Sequence, residues 1–140
     1  MSRRLLYLDS SAIVKAVVRE AETKALLDVL ADWPDRVSST LVRVEVPRAL
    51  RRAGAPPALL GRAEETLKRL ILIRMDDAVL EIAAGLEPVA LRARDAIHLA
   101  TALSVRSDLE AVVTCDLPFA GAAAAARLSV WTPGSVLKPS

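Results

Sequence analysis

The sequence predicts an α/β protein: a single domain in which a central parallel sheet of about four or five short strands is flanked by helices. Short apolar runs alternate along the chain with longer segments of helical periodicity, which is typical of a helix-covered parallel sheet. A length of 140 residues suits one domain of common size. The hydrophobic fraction, 53%, is high enough for a well-filled core and also suggests a buried subunit interface.

In the first half of the chain, strand-like runs and helical segments follow one another with clear signals at their ends. The expected strands are Leu5–Leu8, Arg36–Ser38 and Ile71–Arg74. The expected helices run from a cap at Ser10 or Ser11 to about Arg19, from Glu22 to Trp33 and from Leu41 to Ala53, and Pro56-Pro57 opens a fourth helix through Leu70. Because Pro47 lacks a backbone donor, the third helix should be kinked or should miss a hydrogen bond.

The second half of the chain continues the alternation. We expect a helix capped by Asp76 that reaches Gly85, a nearly apolar helix from Arg94 to Val105, a strand over Ala111–Cys115, an alanine-rich helix over Leu117–Arg127 and a last strand over Leu128–Trp131. The predicted domain therefore covers residues 1–133, and residues 134–140 form a C-terminal tail that we expect to fray.

The sequence argues against a membrane-spanning or disulfide-stabilised protein. Charged residues interrupt every apolar run before it reaches the roughly 18 residues needed to cross a bilayer. The apolar run Leu5–Leu8 follows a basic start but is too short for a signal peptide. Cys115 is the single cysteine, which excludes an internal disulfide and a cysteine-based zinc cage and fits a reducing compartment. We therefore expect a cytoplasmic protein.

Net charge is a weak indicator of function in this chain. A formal charge of +2 and a pI near 9.0 do not by themselves indicate nucleic-acid binding. Most of the 19 basic residues are arginines, whose planar group binds phosphate in a bidentate manner. A genome of high GC content would also enrich arginine and alanine, so the arginine excess has two explanations.

Two predicted strands end in an aspartate, Asp9 and Asp116. In parallel sheets ligands bind outside the carboxyl ends of the strands, so both side chains are expected at the active-site edge. The alternative role for Asp9 is a helix cap, although Ser10 or Ser11 could fill it. The alternative role for Asp116 is a turn residue before Leu117.

Asp95 lies in the first turn of a helix that is apolar on nearly every face, which predicts a buried helix. A carboxylate in such a helix must be paired, protonated or bound to a metal. Its alternatives are a favourable interaction with the helix N-terminus and an ion pair with Arg92 or Arg94. His98 shares its face, and we interpret it as a core histidine with satisfied hydrogen bonds rather than as a catalytic group.

Glu45 has the weakest case from its own surroundings. Arg48 and Arg52 follow it at helical spacing, so it could belong to an ordinary solvated face. The pair Asp76 and Asp77 is interpreted as a helix cap and a first-turn acid, with no chemical role.

Four segments in this order resemble the PIN-domain family, and within it the VapC-type toxins of toxin–antitoxin pairs. The resemblance extends from Leu5 to Pro133, and its most specific part is the segment from Asp95 to Ala102. The four segments are Leu8-Asp9-Ser10-Ser11-Ala12 leading to Lys15, then Arg43-Val44-Glu45, then Arg94-Asp95-Ala96-Ile97-His98-Leu99-Ala100-Thr101-Ala102, and last Thr114-Cys115-Asp116.

The resemblance implies an endoribonuclease that depends on Mg²⁺, with Mn²⁺ as a substitute, and that acts as the toxin of such a pair. It assigns Asp9, Glu45 and Asp95 as the main metal ligands and Asp116 as a ligand or a water-orienting acid, with Ser10, Ser11 and Thr114 holding these carboxylates. Two carboxylates about 5 Å apart repel by roughly 3 kcal/mol at an effective dielectric near 20, so such a cluster favours a bound cation. The implied partners are an RNA substrate and a cognate antitoxin protein.

Other functions remain open at this stage. A Mg²⁺-binding receiver-like signalling domain would need a lysine at the end of a late strand, where this chain has Thr114-Cys115-Asp116. A phosphatase of the two-aspartate kind would need an acid at the position of Ser11. A PIN-like RNA-binding module without efficient catalysis is the closer alternative. From the hydrophobic composition we also expect a homodimer formed through apolar helix faces.

Overall fold

The computed structural model describes residues 4–18 and 23–133 of the chain. The strands are β1 (Leu5–Leu8), β2 (Arg36–Ser39), β3 (Ile71–Ile73), β4 (Leu109–Val113) and β5 (Val130–Trp131). The helices are α1 (Ser10–Val18), α2 (Thr23–Ala31), α3 (Val42–Arg52), α4 (Pro57–Lys68), α5 (Asp77–Ala84), α6 (Ala93–Ser104) and α7 (Leu117–Ala125), with a 3-10 turn at Arg106–Asp108. The predicted α/β class is confirmed.

The five strands form one parallel sheet in the order β3-β2-β1-β4-β5. From the central strand β1 the chain builds outward to β2 and β3 on one side, and it later returns to add β4 and β5 on the other. The order therefore reverses between β1 and β4, and such a reversal opens a crevice at the carboxyl ends of the two strands. Leu8 pairs with Val113, so Asp9 and Thr114 leave the sheet next to each other.

The sheet separates two apolar clusters because successive side chains of a strand point to opposite faces. In β1, Leu6 and Leu8 pack into one cluster, with residues from α1, α2, α3 and α4. Tyr7 packs into the other, with Leu99 of α6 and Phe119 of α7. Helices thus cover both faces of β1, as its fully apolar sequence predicts.

Several boundaries differ from the predictions. The strand predicted at Ala111–Cys115 is β4, Leu109–Val113, because its pairing with β1 begins at Leu109 and ends at Val113. Thr114 and Cys115 therefore belong to the loop after the strand. The last strand is restricted to Val130–Trp131.

The helices largely follow their predicted positions. Helix α3 continues through Pro47, and Asp76 caps α5 by accepting a hydrogen bond from the Val79 backbone amide at 2.9 Å. Helix α2 ends at Ala31, short of the predicted Trp33. The predicted helix ends at Arg19 and Glu22 and the predicted tail at 134–140 lie outside the described residues. Over the residues that are described, no helix has both the length and the apolar character to cross a membrane.

Candidate active site

Three of the four predicted acids line one cleft at the carboxyl ends of β1 and β4. Asp9, Asp95 and Asp116 reach this cleft from the end of β1, the first turn of α6 and the residue before α7. The cleft has a volume of about 380 Å³, and its wall also includes Ser10, Ser11, Val14, Lys15, Val18, Ala49, Arg94 and Cys115. We call it the acid cleft. Glu45 lies beside it, where Arg94 contacts both.

Asp9 is the most firmly held of these carboxylates. It is buried, and its Oδ1 accepts hydrogen bonds from the Ser11 hydroxyl at 2.7 Å and the Ala12 amide at 3.0 Å. Its Oδ2 accepts one from the Thr114 hydroxyl at 2.6 Å. Burial raises the pKa of the Asp9 carboxyl, and the bonds from Thr114 and Ser11 oppose that shift.

Helix α1 is capped by Asp9 itself, which corrects the expectation that Ser10 or Ser11 would cap it. The Ala12 amide donates to Asp9, whereas Ser10 is already the first helical residue. A carboxylate at a helix N-terminus is stabilised by the free amides there. Asp9 therefore caps α1 and lines the cleft at the same time, so these two roles are not alternatives.

A hydrogen-bonded network ties the ends of β1 and β4 together around Asp9. The Ser11 hydroxyl lies 3.2 Å from that of Thr114 and accepts a bond from the Cys115 amide at 2.9 Å. Thr114 accepts one from the Asp116 amide at 3.0 Å. Ser11 and Thr114 therefore hold Asp9, as expected, whereas Ser10 lines the cleft without a hydrogen bond to any carboxylate of the described residues.

Asp95 and Asp116 face each other across the position of Arg92. Asp95 is 5% exposed, and its Oδ2 lies 3.4 Å from Arg92 Nε. Asp116 Oδ2 lies 3.4 Å from Arg92 Nη2, while its Oδ1 caps α7 by accepting from the Phe119 amide at 3.3 Å. Burial first, and then the charge of Asp116, raise the pKa of the Asp95 carboxyl. Arg92 lowers it.

Glu45 is turned inward, so the alternative of a solvated face shared with Arg48 and Arg52 is wrong. Its Oε1 lies 2.6 Å from Nε2 of His98 in α6, and its side chain is only 11% exposed. Its Oε2 is buried without a hydrogen-bond partner, and the nearest cation is Arg94, whose Nη1 lies at 4.0 Å. A buried carboxylate oxygen without a partner is costly unless a cation or water meets it.

Tyr7 and His98 form a chain of hydrogen bonds that ends at Glu45. His98 is 1% exposed, and its Nδ1 lies 2.7 Å from the hydroxyl of the fully buried Tyr7. Both ring nitrogens therefore have partners, and the prediction of a satisfied core histidine is confirmed. Sequence reasoning missed Tyr7. The available signal was a phenol in an otherwise aliphatic strand, because a buried tyrosine hydroxyl requires a partner.

The acids share a cleft without forming a closed cage. Within residues 4–18 and 23–133, no three Asp, Glu, His or Cys side chains come together closely enough to hold a metal ion. The donor set nevertheless fits a hydrated divalent cation, because Mg²⁺ usually keeps several waters and binds one or two carboxylates directly. Such a cation would meet the orphaned Glu45 Oε2 and would offset the burial that raises the pKa values of Asp9 and Asp95.

A larger cavity of about 580 Å³ lies between α3 and α4. Its lining comprises Arg43, Pro47, Arg51, Leu60, Ala63, Glu64, Leu67, Lys68 and Leu72, so it contains a single carboxylate. Because it lacks clustered acids and lies away from the reversal point of the sheet, we assign the chemistry to the acid cleft.

Comparison with known sequences gives a consistent result. The family model described as PIN domain matches residues 6–125. Ribonuclease VapC46 of Mycobacterium tuberculosis is 46% identical over 128 residues, which cover 91% of this chain and 97% of that protein. Ribonuclease VapC35 of the same species is 39% identical over 134 residues, covering 93% and 98%.

Comparison with solved structures supports the same fold. Mycobacterium tuberculosis VapC20, described as a Sarcin-Ricin loop cleaving toxin, matches with a TM-score of 0.68 over 96% of this chain and 99% of its own, at 16% identity. A chain from a toxin–antitoxin complex of Klebsiella pneumoniae matches with a TM-score of 0.63 over 79% and 86%, at 22% identity. At these identities the likeness shows the fold alone.

Proposed function

We propose that this chain, which belongs to the PIN domain family, is a metal-dependent endoribonuclease. It would hydrolyse phosphodiester bonds of RNA and act as the toxin of a toxin–antitoxin pair. The observation that carries the proposal is the acid cleft, where Asp9, Asp95 and Asp116 meet beside the half-satisfied Glu45. The nearly full-length similarity to proteins named ribonuclease supports it.

The carboxylates would divide the work of holding Mg²⁺, or Mn²⁺ in its place. Asp9, Glu45 and Asp95 would act as ligands directly or through water, and Asp116 would act as a ligand or orient a water. When bound, the cation would lower the pKa of a water and neutralise charge on the leaving oxygen. The Ser11 and Thr114 hydroxyls keep Asp9 in one orientation, so little ordering is required when the cation arrives.

A cleavage assay with matched variants tests the enzymatic part. We expect purified wild type to cut structured RNA with Mg²⁺ or Mn²⁺ and to stop in EDTA. Asp9→Asn should keep the fold and lower the cleavage rate by roughly a thousandfold, since a divalent cation supplies several kcal/mol of transition-state stabilisation. Asp108→Asn is the matched control, because Asp108 is an exposed acid at the opposite end of β4.

Full activity of Asp9→Asn, or of wild type in EDTA, would contradict the proposal. RNA binding without cleavage in either metal would favour the alternative of a PIN-like binding module. The receiver-like alternative has lost its support, because the family match covers residues 6–125.

The toxin role rests on the relatives rather than on the cleft. The related proteins bear the name VapC, and solved chains of similar fold come from a toxin–antitoxin complex and from a VapBC2 complex of Rickettsia felis. We propose a cytoplasmic toxin held inactive by a partner protein, whose apolar side chains fill a groove near the acids while an arginine reaches the carboxylates. In cells, wild type should slow growth when expressed alone and Asp9→Asn should not.

A further inference from the structure

Two arginines at the start of α6 lie over the carboxylates of the site. Arg92 bridges Asp95 and Asp116, with Nε and Nη2 each 3.4 Å from a carboxylate oxygen. Arg94 lines the acid cleft and lies 4.0 Å from the orphaned oxygen of Glu45. Asp9 is held by two hydroxyls and an amide, whereas Glu45, Asp95 and Asp116 each have an arginine beside them.

The arginine side chains are much more exposed than those of the acids. The Arg92 and Arg94 side chains are 59% and 47% exposed, whereas those of Asp95, Glu45 and Asp116 are 7%, 11% and 18% exposed. The arginine contacts are also longer than the roughly 2.8 Å of a strong charge-assisted hydrogen bond. In this arrangement buried carboxylates are covered by solvent-exposed cations, which can be exchanged at little cost to the fold.

The contacts differ from ordinary surface ion pairs, which contribute little because water screens both partners. In the acid cleft the carboxylates are largely buried, so a neighbouring cation is needed to offset their mutual repulsion. Arg92 stands between two carboxylates rather than beside one. A divalent cation at the position of its guanidinium group would be stabilised by the same two carboxylates.

We propose that Arg92 and Arg94 are the resident counter-ions of the metal-free cleft and that a divalent cation displaces them. The inference rests on the proposed function, because it presupposes that the acids bind such a cation. Displacement leaves two guanidinium groups free at the mouth of the cleft, where phosphate oxygens of a bound RNA would meet them.

A metal titration without RNA tests the inference. In calorimetry with Mn²⁺, the double variant Arg92→Gln/Arg94→Gln should bind the ion about tenfold more tightly than wild type, because two competing charges are removed. Its metal-free form should melt a few degrees lower, because the carboxylates lose their counter-ions, and saturating Mn²⁺ should abolish that difference. Arg92→Lys/Arg94→Lys keeps both charges and should restore an affinity close to that of wild type.

The matched control is Arg69→Gln/Arg106→Gln, which changes net charge equally at the amino ends of β3 and β4, the opposite edge of the sheet. This control should leave Mn²⁺ affinity within about twofold. If wild type binds Mn²⁺ and the Arg92/Arg94 glutamine variant binds it equally or more weakly, this inference is wrong, while the metal dependence of the proposed function stands. Absence of Mn²⁺ binding by wild type would overturn it together with the metal dependence of the proposed function.

Discussion

The two oxygens of Glu45 have different surroundings, and His98 is the cause. One oxygen is bonded to His98 Nε2, while the other is buried and unpaired beside Arg94. Because Tyr7 occupies the other ring nitrogen, the imidazole cannot rotate without losing both bonds. His98 is thus a positioning residue that keeps one Glu45 oxygen available.

At the residue scale we predict that His98→Phe lowers the free energy of unfolding by about 2–6 kcal/mol. The ring volume is retained, but two buried polar groups lose their partners, at about 1–3 kcal/mol each. Tyr7→Phe leaves the His98–Glu45 bond in place and deprives only the ring nitrogen Nδ1 of a partner, so it should cost about 1–3 kcal/mol. Urea unfolding measures both changes.

A further readout separates positioning from a purely structural role. Mn²⁺ affinity should fall by about 10–100-fold in His98→Phe, as expected when the support of a ligand is removed, and should be nearly unchanged in Tyr7→Phe. If the phenylalanine variant at residue 98 unfolded like wild type and bound metal equally well, Glu45 would not depend on the histidine.

Helix α3 joins the acid cleft to a basic surface. Its inner face packs into the core through Val42, Val46 and Leu50, at a spacing of four residues. On its outer side three exposed neighbouring arginines, Arg48, Arg51 and Arg52, have no ion pair with any described residue. Ala49 lies among them and lines the acid cleft, so this side of the helix adjoins the site.

At the element scale we predict that these arginines bind the RNA backbone outside the cleft. Replacing Arg48, Arg51 and Arg52 by glutamine should weaken binding of a labelled single-stranded RNA in EDTA. The slope of log affinity against log salt should fall by about 2, since each phosphate contact contributes about 0.7. Fluorescence anisotropy at several salt concentrations measures this.

Glutamine at Arg69, Arg106 and Arg127 provides the control with the same change of charge, because these exposed arginines precede β3, β4 and β5 at the far edge of the sheet. Equal salt slopes for the two triple variants would mean that the α3 arginines form a solvated face with no role in binding.

Across the described surface, large apolar side chains remain exposed on a molecule with a well-formed core. Leu80 and Ile82 of α5 are 44% and 42% exposed, and Val44 and Val89 are more exposed still. Helix α5 packs on α6, yet its Leu80 and Ile82 stay partly exposed. Exposed apolar side chains on one helix can form part of a subunit interface.

At the scale of the whole molecule we predict a homodimer that includes α5. Light scattering at micromolar concentration should give twice the chain mass of 15.0 kDa. Leu80→Glu/Ile82→Glu should produce a folded monomer, because burying two carboxylates in an apolar interface is unfavourable. Leu27→Glu/Val44→Glu places the same charges on α2 and α3 as a control. Wild type of monomer mass, or an intact dimer in the α5 variant, would refute the prediction.

The sequence alone determined the features that depend on local patterns. Apolar runs alternating with helical periodicity predicted the parallel sheet, and the ends of two runs predicted the edge at which Asp9 and Asp116 lie. The apolar faces around Asp95 predicted its burial. Each inference needs only neighbours in the chain, because strand and helix periodicities act over a few residues.

The tertiary structure decided which distant residues meet. Only the strand order brings β1 beside β4 and so joins Thr114 to Asp9, 105 residues apart. Only the tertiary structure brings Glu45 of α3 within 2.6 Å of His98 of α6, whereas its sequence neighbours equally suited a solvated face. The sequence offered helix cap and cleft acid as alternative roles for Asp9, and only the structure shows that Asp9 fills both, because hydrogen-bond partners are set by the positions of whole elements. These contacts depend on how helices and strands pack, and local periodicity carries no information about that.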